Sequence, residues 1–193
     1  MAGATAAELR AWLRLQTAFT DDETVTAELL LGLAQGVIEE EAGQPLASST
    51  DTVVLDGPTE DSSPYQTAVR SPRLVLPRWP VTAVHTVTED GEELVHGRDA
   101  DYTWSASGII TRRGACWPSG DQAVEVVYTG GFLVLPTGLK RIQLRLAAAG
   151  WSNPELLASE SLGDHSRSFA AELLGMELTK ADQRVIGAYR ART

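Results

Sequence analysis

The chain has one cysteine, Cys116, in 193 residues, so no internal disulfide can form and a secreted disulfide scaffold is excluded. It has no apolar run near the roughly 18 to 20 residues that cross a bilayer. Met1 to Glu8 lacks the basic-then-apolar layout of a signal peptide, so the expectation is a protein that stays where it is made, with no membrane partner. Positive charge is scarce as well. Lys140 and Lys180 are the two lysines, and 16 basic residues face 26 acidic ones. The deficit is concentrated in residues 1 to 100, which hold 17 acidic and 6 basic side chains, whereas residues 101 to 193 are near balance. A DNA reader carries a basic patch to hold phosphates, and none is visible.

The residues of catalysis are present without the spacing that catalysis needs. Ser161, Asp164 and His165 supply the types of a nucleophile, an acid and a base, but within five residues of polar chain they cannot easily converge on one point. His85, His96, His165 and Cys116 are scattered, with no CxxC, no HxxxH and no calcium loop, so no metal is expected. Gly130-Gly131 precedes a helix, yet neither GxxxxGKS nor GxGxxG is there, and the pair reads as a strand-to-helix turn. The five tryptophans, Trp12, Trp79, Trp104, Trp117 and Trp151, are dispersed as packing residues are. The reading is a non-enzyme with no cofactor.

What the chain does have is order. Thr5 with Glu8, and Thr20 with Glu23, have the spacing of capping boxes, so each predicts a helix start. Leu9, Trp12, Leu13 and Leu15 follow the first. After the second, Val25, Leu29, Leu33 and Val37 recur every four residues, with Leu30, Ala34 and Ile38 beside them. Gly32 and Gly36 weaken this helix or permit close helix contact, and Gly43 and Pro45 end it.

From Ser48 to Gly131 the pattern turns to short β runs: Thr52 to Leu55, Arg73 to Leu76, Val81 to Thr88, Asp101 to Trp104, Gly108 to Arg112 and Ala123 to Thr129. In the last, Val124, Val126 and Tyr128 share one face. Asp90-Gly91 supplies a turn, and Asp56 to Pro72 reads as a long exposed loop. Helix returns at Pro136, with Leu139, Ile142, Leu146 and Ala149 on one face and Gly150 as its stop. Ser159 to Ser168 is polar without periodicity, Phe169 to Met176 is compatible with a short helix, and Thr179 with Asp182 caps one more. The fold class is α+β, divided into N-terminal helices (1–47), an inserted β-sheet or sandwich subdomain (48–133), a returning core helix (134–158) and a C-terminal arm plus helix (159–193).

Read in sequence order, several of these segments resemble the head-to-tail connector (adaptor, head-completion) proteins of long-tailed bacteriophages. They are Asp21-Asp22 before the long helix, LPRWPVTAVHTVTEDGEEL at Leu76 to Leu94, Tyr102, the Gly108 to Arg112 strand and Trp117-Pro118. The resemblance continues with VEVVYTGGFLVLP at Val124 to Pro136, SESLGDHSRSF at Ser159 to Phe169 and LTKADQRVIGAYR at Leu178 to Arg190. It implies a structural virion protein, made in the host cytoplasm, that forms a ring, commonly of twelve copies, beneath the portal protein. Such a ring extends the channel through which DNA passes without sequence-specific binding, and it presents a surface to a tail-side neck protein, a stopper or tail terminator.

On that reading the helices form the ring body, with Leu29, Leu33, Val37, Leu139, Ile142 and Leu146 as its candidates. The C-terminal region is the candidate portal-docking segment, with Leu162, Gly163, Asp164, Arg167, Phe169, Leu173, Leu174, Arg184, Tyr189 and Arg190 as its candidates. Two rivals remain open: a stopper or tail terminator, expected to be more purely β, and a ligand-binding β module using Trp79, Trp104 or Trp117.

Overall fold

The computed structural model describes residues 3–57, 71–153, 159–162, 165–168 and 176–191, the backbone alone over 159–168. By its contacts the chain divides into two compact units, one of Met1–Ala47 with Leu133–Arg190, the other of Ser48–Phe132 with Ala191–Thr193.

The first unit is helical. Helices α1 (Ala6–Trp12) and α2 (Asp21–Ala42) each begin at a threonine whose hydroxyl accepts from a glutamate amide three residues on, Thr5 from Glu8 at 3.2 Å and Thr20 from Glu23 at 3.3 Å. The glutamate carboxylates accept in return from the Thr5 and Thr20 amides, at 2.9 and 2.8 Å. Gly43 ends α2 in the left-handed region, at φ 66°, where a residue without Cβ pays no steric cost.

Helix α3 (Thr137–Ser152) is the centre of this unit and packs on α1, α2 and α4 (Lys180–Gly187). Its Leu139, Ile142 and Leu146 are buried together with Leu9, Leu31, Ala34, Ile38 and Ile186. Gln143 is buried among them with both polar atoms paired: its Oε1 accepts from the Ala4 amide at 2.8 Å, and its Nε2 donates to the Leu31 carbonyl at 3.1 Å. A buried amide is tolerated only when it is paired in this way. Gly150, expected as the stop of α3, instead lies inside it. A Cβ there would stand 3.0 Å from Leu30 Cδ2 and 2.9 Å from Met176 Cε, so the glycine serves close packing rather than termination.

The second unit is built of two antiparallel sheets. Strands β1 (Ser49–Leu55), β7 (Val124–Gly130), β3 (Val81–Glu89) and β4 (Glu92–Glu93) form one in the order β1-β7-β3-β4. Strands β2 (Arg73–Val75), β6 (Ile109–Arg112) and β5 (Tyr102–Trp104) form the other, in the order β2-β6-β5. β7 is the central strand, with Val126 opposite Val53 on one side and Val87 on the other.

Val124, Val126 and Tyr128 point inward as the alternation predicts, and Leu74, Leu76, Val87, Tyr102, Ile110 and Trp117 complete the core from both sheets. Asp90 and Gly91, both at positive φ, turn β3 into β4. Two polar clusters seal the unit. Buried Arg78 bonds the Asp51 carboxylate and the Ser49 hydroxyl, and Arg112 joins Glu89 at 2.9 Å while its guanidinium lies over Trp117.

Together the units make an α+β fold of four helices and two such sheets, plus a short hairpin, among the described residues. In that hairpin β8 (Ser159–Leu162) pairs antiparallel with β9 (His165–Ser168), Leu162 opposite His165, where the sequence shows no periodicity. The helix expected at Phe169 to Met176 and most of the loop expected at Asp56 to Pro72 lie outside the described residues.

Candidate assembly surfaces

Helix α2 has two apolar sides, and the chain uses one of them. Ala27, Leu31, Ala34, Ile38 and Ala42 are buried, and the small alanines let α2 and α3 lie close. At 3.6 residues per turn, Val25, Leu29 and Leu33 fall on the opposite side. They are 67%, 61% and 52% exposed. The row read from the sequence as the apolar stripe of this helix is thus turned outward, with Val37 half-buried at its edge.

Gly32 and Gly36 lie on the same outward side, and a Cβ added at either meets nothing within 4 Å. Internal packing gives no reason for two glycines in mid-helix, each of which costs about 1 kcal/mol relative to alanine. A row of large apolar side chains turned to solvent on a helix whose opposite side is already buried marks a surface for a partner. Bare backbone between leucines is what a second surface needs in order to approach closely.

A second outward apolar feature in the helical unit is the pair Leu133 and Val134, 82% and 72% exposed, just before α3. In the sequence these two residues stand within VEVVYTGGFLVLP, after the Gly130-Gly131 turn and at the boundary between the β subdomain and the core helix, with no surface role assigned to them. The available signal was an apolar pair placed between Gly130-Gly131 and Pro136, where a turn would ordinarily be polar. A cavity of about 110 Å³ opens beside α2, lined in part by Ala4, Glu28, Leu31, Gly32 and Gln35. Its polar side chains are the Glu28 carboxylate, the Gln35 and Gln143 amides and the Thr5 hydroxyl, and that hydroxyl is already used in the cap of α1.

The C-terminal candidates divide. Leu162 and Arg167 lie on the β8–β9 hairpin, described in backbone only, and Gly163, Asp164, Phe169, Leu173 and Leu174 lie outside the described residues. The side chains of Ser161, Asp164 and His165 are outside them too. Arg184 is exposed on α4, whereas Tyr189 and Arg190 already have partners within the unit: the Tyr189 carbonyl accepts from Gln44 Nε2 at 2.7 Å, and Arg190 pairs with Glu41.

Helix α4 is anchored by Asp182, which is buried, caps the helix with Thr179 and meets Arg145 at 2.7 Å. Burial works to raise the Asp182 pKa, but the Thr179 hydroxyl and amide and the Arg145 guanidinium outweigh it, and the carboxyl is held below its ordinary value. Among the described residues no cluster of histidine, cysteine and carboxylates could hold a metal ion, and no helix is long and apolar enough to cross a membrane. Three tryptophans have aromatic neighbours: Trp79 beside Phe132, Trp151 beside Phe19, and Trp104 beside His96.

No protein-family profile matches the chain, and no curated protein is similar to it. Solved structures do share its fold. A chain of the neck of an empty gene transfer agent (GTA) particle, computed with C6 symmetry, aligns at TM-score 0.59 and 21% identity, over 99% of this chain and 91% of that one. A chain of the virion of the native gene transfer agent particle aligns at 0.58 and 20% identity, over 99% and 91%. One from the neck of the native particle, computed with C12 symmetry, aligns at 0.54 and 19%, over 97% and 88%. The likeness spans helices and strands together, so the α+β arrangement is that of these chains.

Proposed function

We propose that the chain is a structural, non-enzymatic subunit of a virion neck, a head-to-tail connector that closes into a ring beneath the portal. The observation that carries this reading is the near full-length likeness to chains of neck particles computed with six- and twelvefold symmetry. The outward apolar face of α2 supports it independently, because a subunit destined for a ring must keep a surface that its own fold leaves uncovered.

In this role the helical unit is the ring body. Leu139, Ile142 and Leu146 hold the subunit together, and Leu29, Leu33 and Val37 meet the next copy. A ring of about twelve copies is compatible with both the sixfold and the twelvefold symmetry of the similar necks. The acidic balance of residues 1 to 100 suits a channel through which DNA slides, since acids give phosphates nothing to grip.

The region from Ser159 onward docks the portal, and the other end of the ring receives the stopper or tail terminator. Cosedimentation with the portal protein of the same particle tests the assignment. The full chain is expected to bind, and a chain lacking Ser159 to Gly175, which keeps α4 and its buried Ile186 in the helical unit, to lose binding. Undiminished binding by the shortened chain would remove the docking role from this segment, and absence of binding by the full chain would remove the connector assignment.

A further inference from the structure

A ring closed by one repeated rotation joins two different faces of each subunit. If the reading as a neck ring holds, the outward side of α2 is one of them, and its complement is on the same subunit. We infer that the complement is the Leu133–Val134 step, so that these two side chains of one copy sit on the Val25, Leu29 and Leu33 row of the next, over the bare backbone of Gly32 and Gly36.

Exposure, shape and charge converge on this pairing. Leu133 and Val134 are the most exposed of the large apolar side chains among the described residues, while the other outward apolar residues of the helical unit, Trp12 at 46% and Leu15, are half covered. Two adjacent branched side chains make a projection. Two glycines between leucines make the shallow channel to receive it, open to any approaching atom.

The α2 row is flanked by exposed acids, Asp22, Glu28 and Glu40. The start of α3, into which Leu133 and Val134 lead, has no acid in its first turn and carries Arg141, exposed and without a hydrogen bond or ion pair among the described residues. Opposite charges around an apolar contact steer it and fix its register.

Disulfide trapping in the full chain, with Cys116→Ser as background, tests the pairing. L29C and L133C are both at exposed positions, so neither should disturb the subunit. Mixed and oxidised, they are expected to give the disulfide-linked mixed dimer, each alone is expected to form no covalent link, and the double variant is expected to give a covalent ladder of oligomers. Arg141→Glu is expected to lower the mixed-dimer yield several-fold at low salt.

L29C dimerising with itself, or trapping W12C in preference to L133C, would overturn the pairing. Native mass spectrometry of the untrapped protein separates the two levels of the argument. Rings that form without the L29C–L133C link overturn the pairing and leave the neck assignment standing, whereas a chain that forms no oligomer at any concentration, alone or with the portal protein of the same particle, overturns both.

Discussion

The β unit and the helical unit treat their apolar residues differently. In the β unit, alternation sends Val124, Val126 and Tyr128 to a shared core, and among the described residues the large apolar side chains left outside are three separate valines, Val54, Val75 and Val95. The helical unit leaves Trp12, Leu15, Val25, Leu29, Leu33, Leu133 and Val134 outside, and places three of them in one row on α2. Scattered apolar residues on a surface are ordinary, but an ordered row is not. The β unit is finished when the chain has folded; the helical unit, on the proposed reading, is finished by another copy.

Substitutions can break or sharpen that contrast. The largest loss of stability is expected inside the helical core, where Leu146→Ala should cost about 2 to 5 kcal/mol in chemical denaturation, because a cavity replaces a fully buried leucine. Arg145→Ala should come next, at about 2 to 3 kcal/mol, since it leaves the Asp182 carboxylate buried without its cation.

The same pair sets a pH dependence. The folded Asp182 pKa is depressed, so its contribution is fully present above the unfolded value of about 4 and is lost as pH falls through the lower folded value. A urea titration between pH 6 and pH 2 should show a larger loss in the native protein than in Asp182→Asn, where Glu8 and Asp101, also held below their ordinary values, still contribute. Thr20→Ala removes the cap of α2 and should cost about 1 kcal/mol by thermal denaturation.

Gly36→Ala is the smallest change and the most telling. On an exposed helix side it should stabilise the isolated subunit by up to about 1 kcal/mol while impairing assembly, since the added methyl group fills the channel. A variant that is both more stable and as fully assembled would mean that the glycines have no part in the contact.

Much of this fold was legible in the residues. The Thr-x-x-Glu boxes at Thr5 and Thr20 and the Thr179 box mark helix starts because threonine and a carboxylate three residues on can satisfy the first free amides, whatever else surrounds them. The inward face of β7 followed from a period of two. The face of α2 did not follow, because two rows obey the helical period, Val25-Leu29-Leu33-Val37 and Leu31-Ala34-Ile38, and periodicity alone cannot say which one α3 covers. The outcome turned on the alanines. Ala27, Ala34 and Ala42 permit close approach to α3, which leaves the bulkier row outside.

Gly150 was read as a stop because glycine ends helices, whereas its role depends on Leu30 and Met176, which are remote in sequence. The β8–β9 hairpin gave no signal because its residues are polar on both faces, so no alternation marks it.

The account rests on the outward side of α2 being a contact between copies. Native mass spectrometry of the full chain and of the Leu29→Asp, Leu33→Asp double variant, at matched concentration and with circular dichroism to check the fold, tests that most directly. With the portal protein of the same particle present, the predicted result is a single closed ring for the unaltered protein and no ring for the variant, with the helical signal of the isolated subunit unchanged in both. A variant that assembles as fully as the unaltered chain would contradict the account.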